Sequence, residues 1–185
     1  MVPLVLTFVG DDRPGLVNAL SEKIAACGAA WLESRSARLA GKFAGILLVS
    51  VPDGRAEELQ SSLRLLESSG LHLTMEQGAS NEAEKPPGRV LKLDLLGHDR
   101  PGIVRDVTQS LTSLGVNIEE FASDLESAAF TGSEMFRARA RLRAPDALGV
   151  EGLRKALERL AGEIMVDLAV ADDEPAACTS APRLP

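Results

Sequence analysis

Apolar residues come in short, bounded runs along this chain, and the runs alternate between two periods. Leu4 to Val9 is almost wholly apolar, too short for a helix and closed by Gly10, which predicts a strand. After the turn Asp11-Asp12-Arg13-Pro14-Gly15, the residues Leu16, Leu20, Ile24 and Cys27 recur at helical spacing until Gly28 stops them. Residues 30–39 and 43–51 read as two strands joined by Ala40-Gly41-Lys42, and Val51-Pro52-Asp53-Gly54 ends the pair. Leu59, Leu63 and Leu66 mark a second helix closed by Gly70, and residues 71–76 form a last short strand.

The same order then returns. Residues 90–96 predict a strand and 103–114 a helix ended by Gly115. Residues 116–125 and 135–143 are strands around a longer loop, Leu153, Leu157 and Leu160 lie on a helix, and 164–170 is the final strand. Gly10-Asp-Asp-Arg-Pro-Gly-Leu-Val17 reappears 87 positions later as Gly97-His-Asp-Arg-Pro-Gly-Ile-Val104, with six of eight residues unchanged. The register holds downstream, Gly28 falling on Gly115 and Glu33 on Glu120. The expected fold class is α+β: two ferredoxin-like βαββαβ domains in tandem, each a four-stranded antiparallel sheet with two helices on one face. The expected boundaries are 1–78 and 89–171, with a polar, Pro-containing linker at 79–88 and a disordered tail at 172–185.

Helices on one face leave the other open, and that face distinguishes the copies. In the second copy, Arg137, Arg139, Arg141 and Arg143 alternate with apolar residues, so period 2 gathers them on the open side with Lys92 and Asp94. A solvated sheet face is the expectation there; attraction of an acidic partner is the alternative. In the first copy both faces are largely apolar. Either a dimer partner or a segment of the same chain covers the open one, or its small aliphatics tolerate water.

The chain has 185 residues and a net charge of -7, with 8 Lys/Arg against 11 Asp/Glu in residues 1–88 and 12 against 16 in 89–185. Direct nucleic-acid binding requires a positive surface and is disfavoured, and 3% aromatic residues with no tyrosine leave no stacking platform. Cys27 and Cys178 carry no sign of a disulfide. No leader and no membrane-length apolar run is expected, which predicts a cytoplasmic protein. No nucleophile triad, zinc cluster, phosphate loop or helix-turn-helix is legible, so no catalysis, metal or cofactor is expected. Cys27, Met135, Met165 and Trp31 read as packing residues, and His72 as structural or surface.

The repeated turn carries the candidate chemistry. Pro101 suits a first helical turn, Asp99 can cap first-turn N–H groups, and Gly102 removes a side chain where another surface comes close. The first-turn amides and helix dipole favour an anion such as a carboxylate. Asn117, beyond the far end of the helix, offers donor and acceptor to an amino acid if this surface forms an interface with another copy. The competing reading is a plain helix start with Arg13 and Arg100 as solvated charges.

Gly-x-Asp-Arg-Pro-Gly-[Leu/Ile]-Val at a strand-turn-helix junction, with Gly-Val-Asn-Ile following at 115–118, resembles the ACT domain, a small regulatory module that binds amino acids at domain interfaces. Two such domains resemble the glycine cleavage system transcriptional repressor group. The resemblance implies ligand-binding residues at His98, Asp99, Arg100, Pro101, Gly102 and Asn117. In the first copy it implies Asp11, Asp12, Arg13, Pro14 and Gly15, but Ala30 stands where the second copy has Asn117, so this copy serves mainly in pairing. It further implies a non-catalytic homo-oligomer that binds a small amino acid, glycine or serine, and modulates a protein partner, a transcription factor for glycine cleavage genes. The alternative is a ligand-free protein–protein interaction or assembly module. A fragment of a formyl-folate hydrolase would need catalytic residues that the chain does not display.

Overall fold

Each repeat folds in the order βαββαβ. In the first, β1 (Val2–Asp11) leads into α1 (Leu16–Ala26), then β2 (Ala30–Leu39), β3 (Lys42–Val51), α2 (Ala56–Arg64), a 3-10 turn over Glu67–Ser69, and β4 (Leu71–Gln77). In the second, β5 (Arg89–His98), α3 (Ile103–Ser113), β6 (Asn117–Ser127), β7 (Glu134–Ala144), α4 (Val150–Glu158) and β8 (Met165–Val170) follow in turn. This computed structural model describes residues 1–78, 87–127, 134–159 and 165–170. The chain divides into two units, Met1–Glu84 and Lys85–Pro185. Most of the expected linker, the loop 128–133, Leu160, Ile164 and the expected tail lie outside the described residues.

The sheets have strand orders β2-β3-β1-β4 and β6-β7-β5-β8, with every pair antiparallel. The first repeat's strand centre therefore carries the most buried residues. Leu6 on β1 and Leu47 on β3 are opposite each other and pack with Leu20 of α1 and Leu59 of α2, all at most 1% exposed. Leu93 on β5 meets Leu111 of α3 and Leu153 of α4 in the same way. Each such leucine contributes about 1.5–3 kcal/mol through removal from water. Cys27 is buried in the first core and Trp31 packs against it, as expected. Met165 does not fill core: it is 67% exposed, because it pairs with Leu96 and so lies on the sheet face opposite the buried Leu91, Leu93 and Leu95.

Both sheets carry a β-bulge at the same place in the repeat. The β2–β3 register shifts between Trp31 and Glu33, and the β6–β7 register between Ile118 and Glu120. The extra residues, Leu32 and Glu119, are 87 positions apart. Glu119 corrects the expectation of a solvated arginine row. Its carboxylate accepts from Arg141 Nε at 3.1 Å and from Arg143 Nε at 2.5 Å, and the two arginines are only 7% and 8% exposed. Arg137 donates to Asp94 through Nε at 3.1 Å and Nη2 at 2.8 Å, with Arg139 at 3.6 Å from the same carboxylate. Glu126 lies 3.6 Å from Arg137. The row is neutralised by its own sheet and is not a basic strip.

The open face of the first unit is apolar, as its alternation predicts. Val9 and Ile46 remain 44% and 48% exposed, and the Thr7 and Thr74 hydroxyls hydrogen-bond at 2.5 Å across β1 and β4.

Candidate ligand site

The repeated turn sits at a corner where the central strand ends and the first helix begins. Backbone pairing closes this corner identically in both units. The Asp12 N–H donates to Gly41 O at 2.9 Å, and the Asp99 N–H donates to Glu134 O at 3.2 Å. The chain then reaches Gly15 and Gly102, which cap α1 and α3 with φ of 91° and 86°. That left-handed conformation strains any residue with a Cβ.

Two expectations about this turn are corrected. Asp99 does not cap α3, because Gly102 is the N-cap and no side chain caps the helix. Pro101 precedes the N-cap and so shapes the turn, not the first helical residue. Within the unit a Cβ on Gly102 would meet nothing closer than the Arg105 guanidinium at 3.5 Å, and one on Gly15 nothing within 4 Å, so positive φ is the constraint that the unit itself places on both glycines.

The second corner opens onto a cleft of about 350 Å³ between the start of α3 and the end of β6. Asp99, Arg100 and Gly102 line it on the loop side, and Ser123, Leu125 and Phe136 on the sheet side. The Ile103 N–H turns back to Arg100 O at 3.3 Å, while the next first-turn amides, those of Val104 and Arg105, have no intrahelical acceptor. Arg100 is not a solvated charge. Its Nη1 lies 2.8 Å from Asp106 Oδ2, and Arg100 and Arg105 together hold the Asp106 carboxyl below its ordinary range. His98 ends β5 opposite Met135.

Asn117 lies elsewhere in the unit. It begins β6 opposite Arg143, six residues before Ser123, or about 20 Å along an extended strand. One copy therefore brings His98–Gly102 together and leaves Asn117 at the other end of the strand. Ser123, Leu125 and Phe136 escape a reading of the motif because sheet pairing, not sequence proximity, delivers them.

The first corner is built from the same turn but is differently filled. Asp12 Oδ2 accepts from Arg38 Nε at 2.5 Å, Asp11 pairs with Lys42, and Arg13 Nη2 donates to Ser69 O at 2.9 Å. The Lys42 ammonium holds the Asp11 carboxyl below its ordinary range. Among the described residues no cluster of His, Cys, Asp or Glu is arranged to hold a metal, and no described helix is long and apolar enough to cross a membrane.

Comparison with known proteins agrees with this architecture. The ACT-domain family profile matches residues 2–76. The glycine cleavage system transcriptional repressor of Escherichia coli (strain K12) is 24% identical over 163 residues, which covers 87% of this chain and 85% of that protein. A crystal structure of an unknown protein from Galdieria sulphuraria is 31% identical and covers 92% of this chain and 98% of its own, with a TM-score of 0.79. A solved structure provisionally assigned as a glycine cleavage system transcriptional repressor shares the fold at 18% identity, over 92% of this chain and 98% of its own, with a TM-score of 0.66. With the tandem βαββαβ units and the repeated Asp-Arg-Pro-Gly corner, these matches make the chain an ACT-domain protein related to the glycine cleavage system transcriptional repressor family.

Proposed function

We propose that this non-catalytic ACT-domain regulatory module senses a small amino acid, glycine or serine, at the corner formed by His98–Gly102. The supporting observation is the cleft beside an uncapped helix start, with the carboxylates of Asp99 and Asp124, the Arg100 guanidinium, a hydroxyl and an apolar wall around it. The ligand carboxylate meets the first-turn amides and the positive end of the α3 dipole. Asn117 completes the site from a second copy of the chain, since within one copy it lies too far along β6. A site shared between copies couples ligand binding to assembly, because the ligand favours the paired state by its differential affinity. A protein partner reads that change. The kinship with the glycine cleavage repressor family supports a transcription factor for glycine cleavage genes in that role, reached without direct contact to nucleic acid by this acidic chain.

The test is calorimetric titration with a panel of amino acids, with the oligomeric state followed in parallel by light scattering. Glycine or serine binds and shifts the oligomeric state, and N117A weakens binding. If N117A binds as tightly as the wild type, Asn117 is not part of the site. If no amino acid binds, the chain is a ligand-free interaction module, a reading favoured by the exposed Val9 and Ile46 on the first unit's sheet.

A further inference from the structure

We propose that Arg38 and Leu125, which occupy the same position of the repeat, decide which corner accepts an amino acid. Arg38 occupies Asp12 and closes the first corner to ligand, whereas Leu125 leaves Asp99 to the ligand's ammonium group. This rests on the amino-acid reading of the second corner given above.

The equivalence is structural as well as numerical. Arg38 pairs across the sheet with Phe43, and Leu125 pairs with Phe136. Each side chain therefore projects beside an aromatic residue on the helix-bearing face, at the sheet edge next to the turn. The turns are tied down by matching backbone bonds, Asp12 to Gly41 and Asp99 to Glu134. In the first unit this geometry brings Arg38 Nε to 2.5 Å from Asp12 Oδ2. In the second, Leu125 and Asp99 line the same cleft, and the Asp99 carboxylate has no hydrogen bond or ion pair among the described residues. The first corner thus displays what the loop carboxylate binds, namely a cationic nitrogen delivered from the cleft side.

The Arg38–Asp12 pair is solvent-exposed, with 69% of the Arg38 side chain accessible, so it adds little to stability. Its consequence is competitive. A tethered guanidinium faces Asp12 at an effective concentration of order millimolar. A ligand with as few atoms as glycine has little binding free energy with which to displace it. In the second corner Leu125 stands where the first has Arg38, and the Arg100 guanidinium that lines the cleft is held by Asp106 at 2.8 Å. Leu125, Phe136 and Val104 offer an apolar wall to the ligand's carbon atoms while Asp99 takes the ammonium. Each chain therefore binds one amino acid, a zwitterion and not a simple carboxylic acid.

Amide chemical-shift titrations of the full chain with glycine, L-serine and L-valine test this directly. In the wild type the Asp99, Gly102 and Val104 amides move and those of Asp12, Gly15 and Val17 stay fixed at the same concentration. R38L brings the first corner into play with an apparent affinity raised about tenfold or more, and L125R abolishes the response of the second. Both side chains are exposed, and the spectra themselves report that the variants fold. Equal response of both corners in the wild type, a first corner that stays silent in R38L while the second responds, or wild-type binding by L125R overturns the proposal. No response at either corner to any of the three probes overturns the amino-acid reading itself, and this proposal with it.

Discussion

Arg143 donates from Nε to Glu119 Oε1 at 2.5 Å, and this contact exists because Glu119 is the extra residue of a β-bulge. The bulge turns Glu119 onto the sheet face that carries Arg141 and Arg143, where one carboxylate serves both. Arg143 also reaches Gly88 O at 3.2 Å, which ties the start of β5 to the end of β7. E119A removes the carboxylate that the two nearly buried guanidinium groups share and is expected to cost about 1–3 kcal/mol. The first unit solves the same positions with Leu32, Leu48 and Ser50. The triple variant E119L/R141L/R143S, which copies that solution, is expected to regain most of the loss. Urea denaturation followed by circular dichroism measures both changes.

Two glycines separate strain from crowding. At Gly102 φ is 86° and a would-be Cβ makes only ordinary van der Waals contact, with Arg105 at 3.5 Å, so G102A carries only the conformational penalty of about 1–2 kcal/mol. At Gly45 a Cβ would meet Phe8 Cζ at 2.6 Å and Arg35 O at 2.7 Å, neither able to move cheaply in the sheet. G45A is expected to cost more, about 3 kcal/mol, by overpacking. Thermal unfolding of the two variants side by side checks the order.

Asp94 makes one part of stability pH-dependent. Its hydrogen bonds from Arg137, with further help from Arg139, hold its carboxyl below the ordinary value of 3.8. A depressed folded-state pKa means that the contribution is complete above the unfolded value of about 3.9 and is lost as pH falls through the lower folded value. D94N therefore melts below the wild type from pH 5 to 7, and the gap closes below about pH 4. The group is partly exposed, so the gap is small, at most about 3 °C. Melting curves across this range measure it; a gap that widens towards acid contradicts the assignment.

The strands and helices were legible because their ends carry strong punctuation. Gly28, Gly70 and Gly115 stop runs whose period is unmistakable, and the second copy confirms each reading of the first. The bulge was not legible. Asn117-Ile-Glu-Glu-Phe-Ala-Ser-Asp has no alternation to break, so the change of face at Glu119 leaves no mark in the pattern. The loop of the candidate site announces itself through repetition. Its sheet-side lining does not, since Ser123, Leu125 and Phe136 arrive through pairing of β6 with β7. Arg38 on Asp12 joins residues 26 apart and is foreseeable only by setting the repeats side by side, where Arg38 falls on Leu125.

The most direct test of the ligand site is a crystal structure of the full chain grown with saturating glycine or serine. Ligand density is expected in the cleft between Asp99 and Ser123, with the carboxylate on the first-turn amides of α3. Density for the bound amino acid at another place on the chain, with this cleft holding only water, contradicts it.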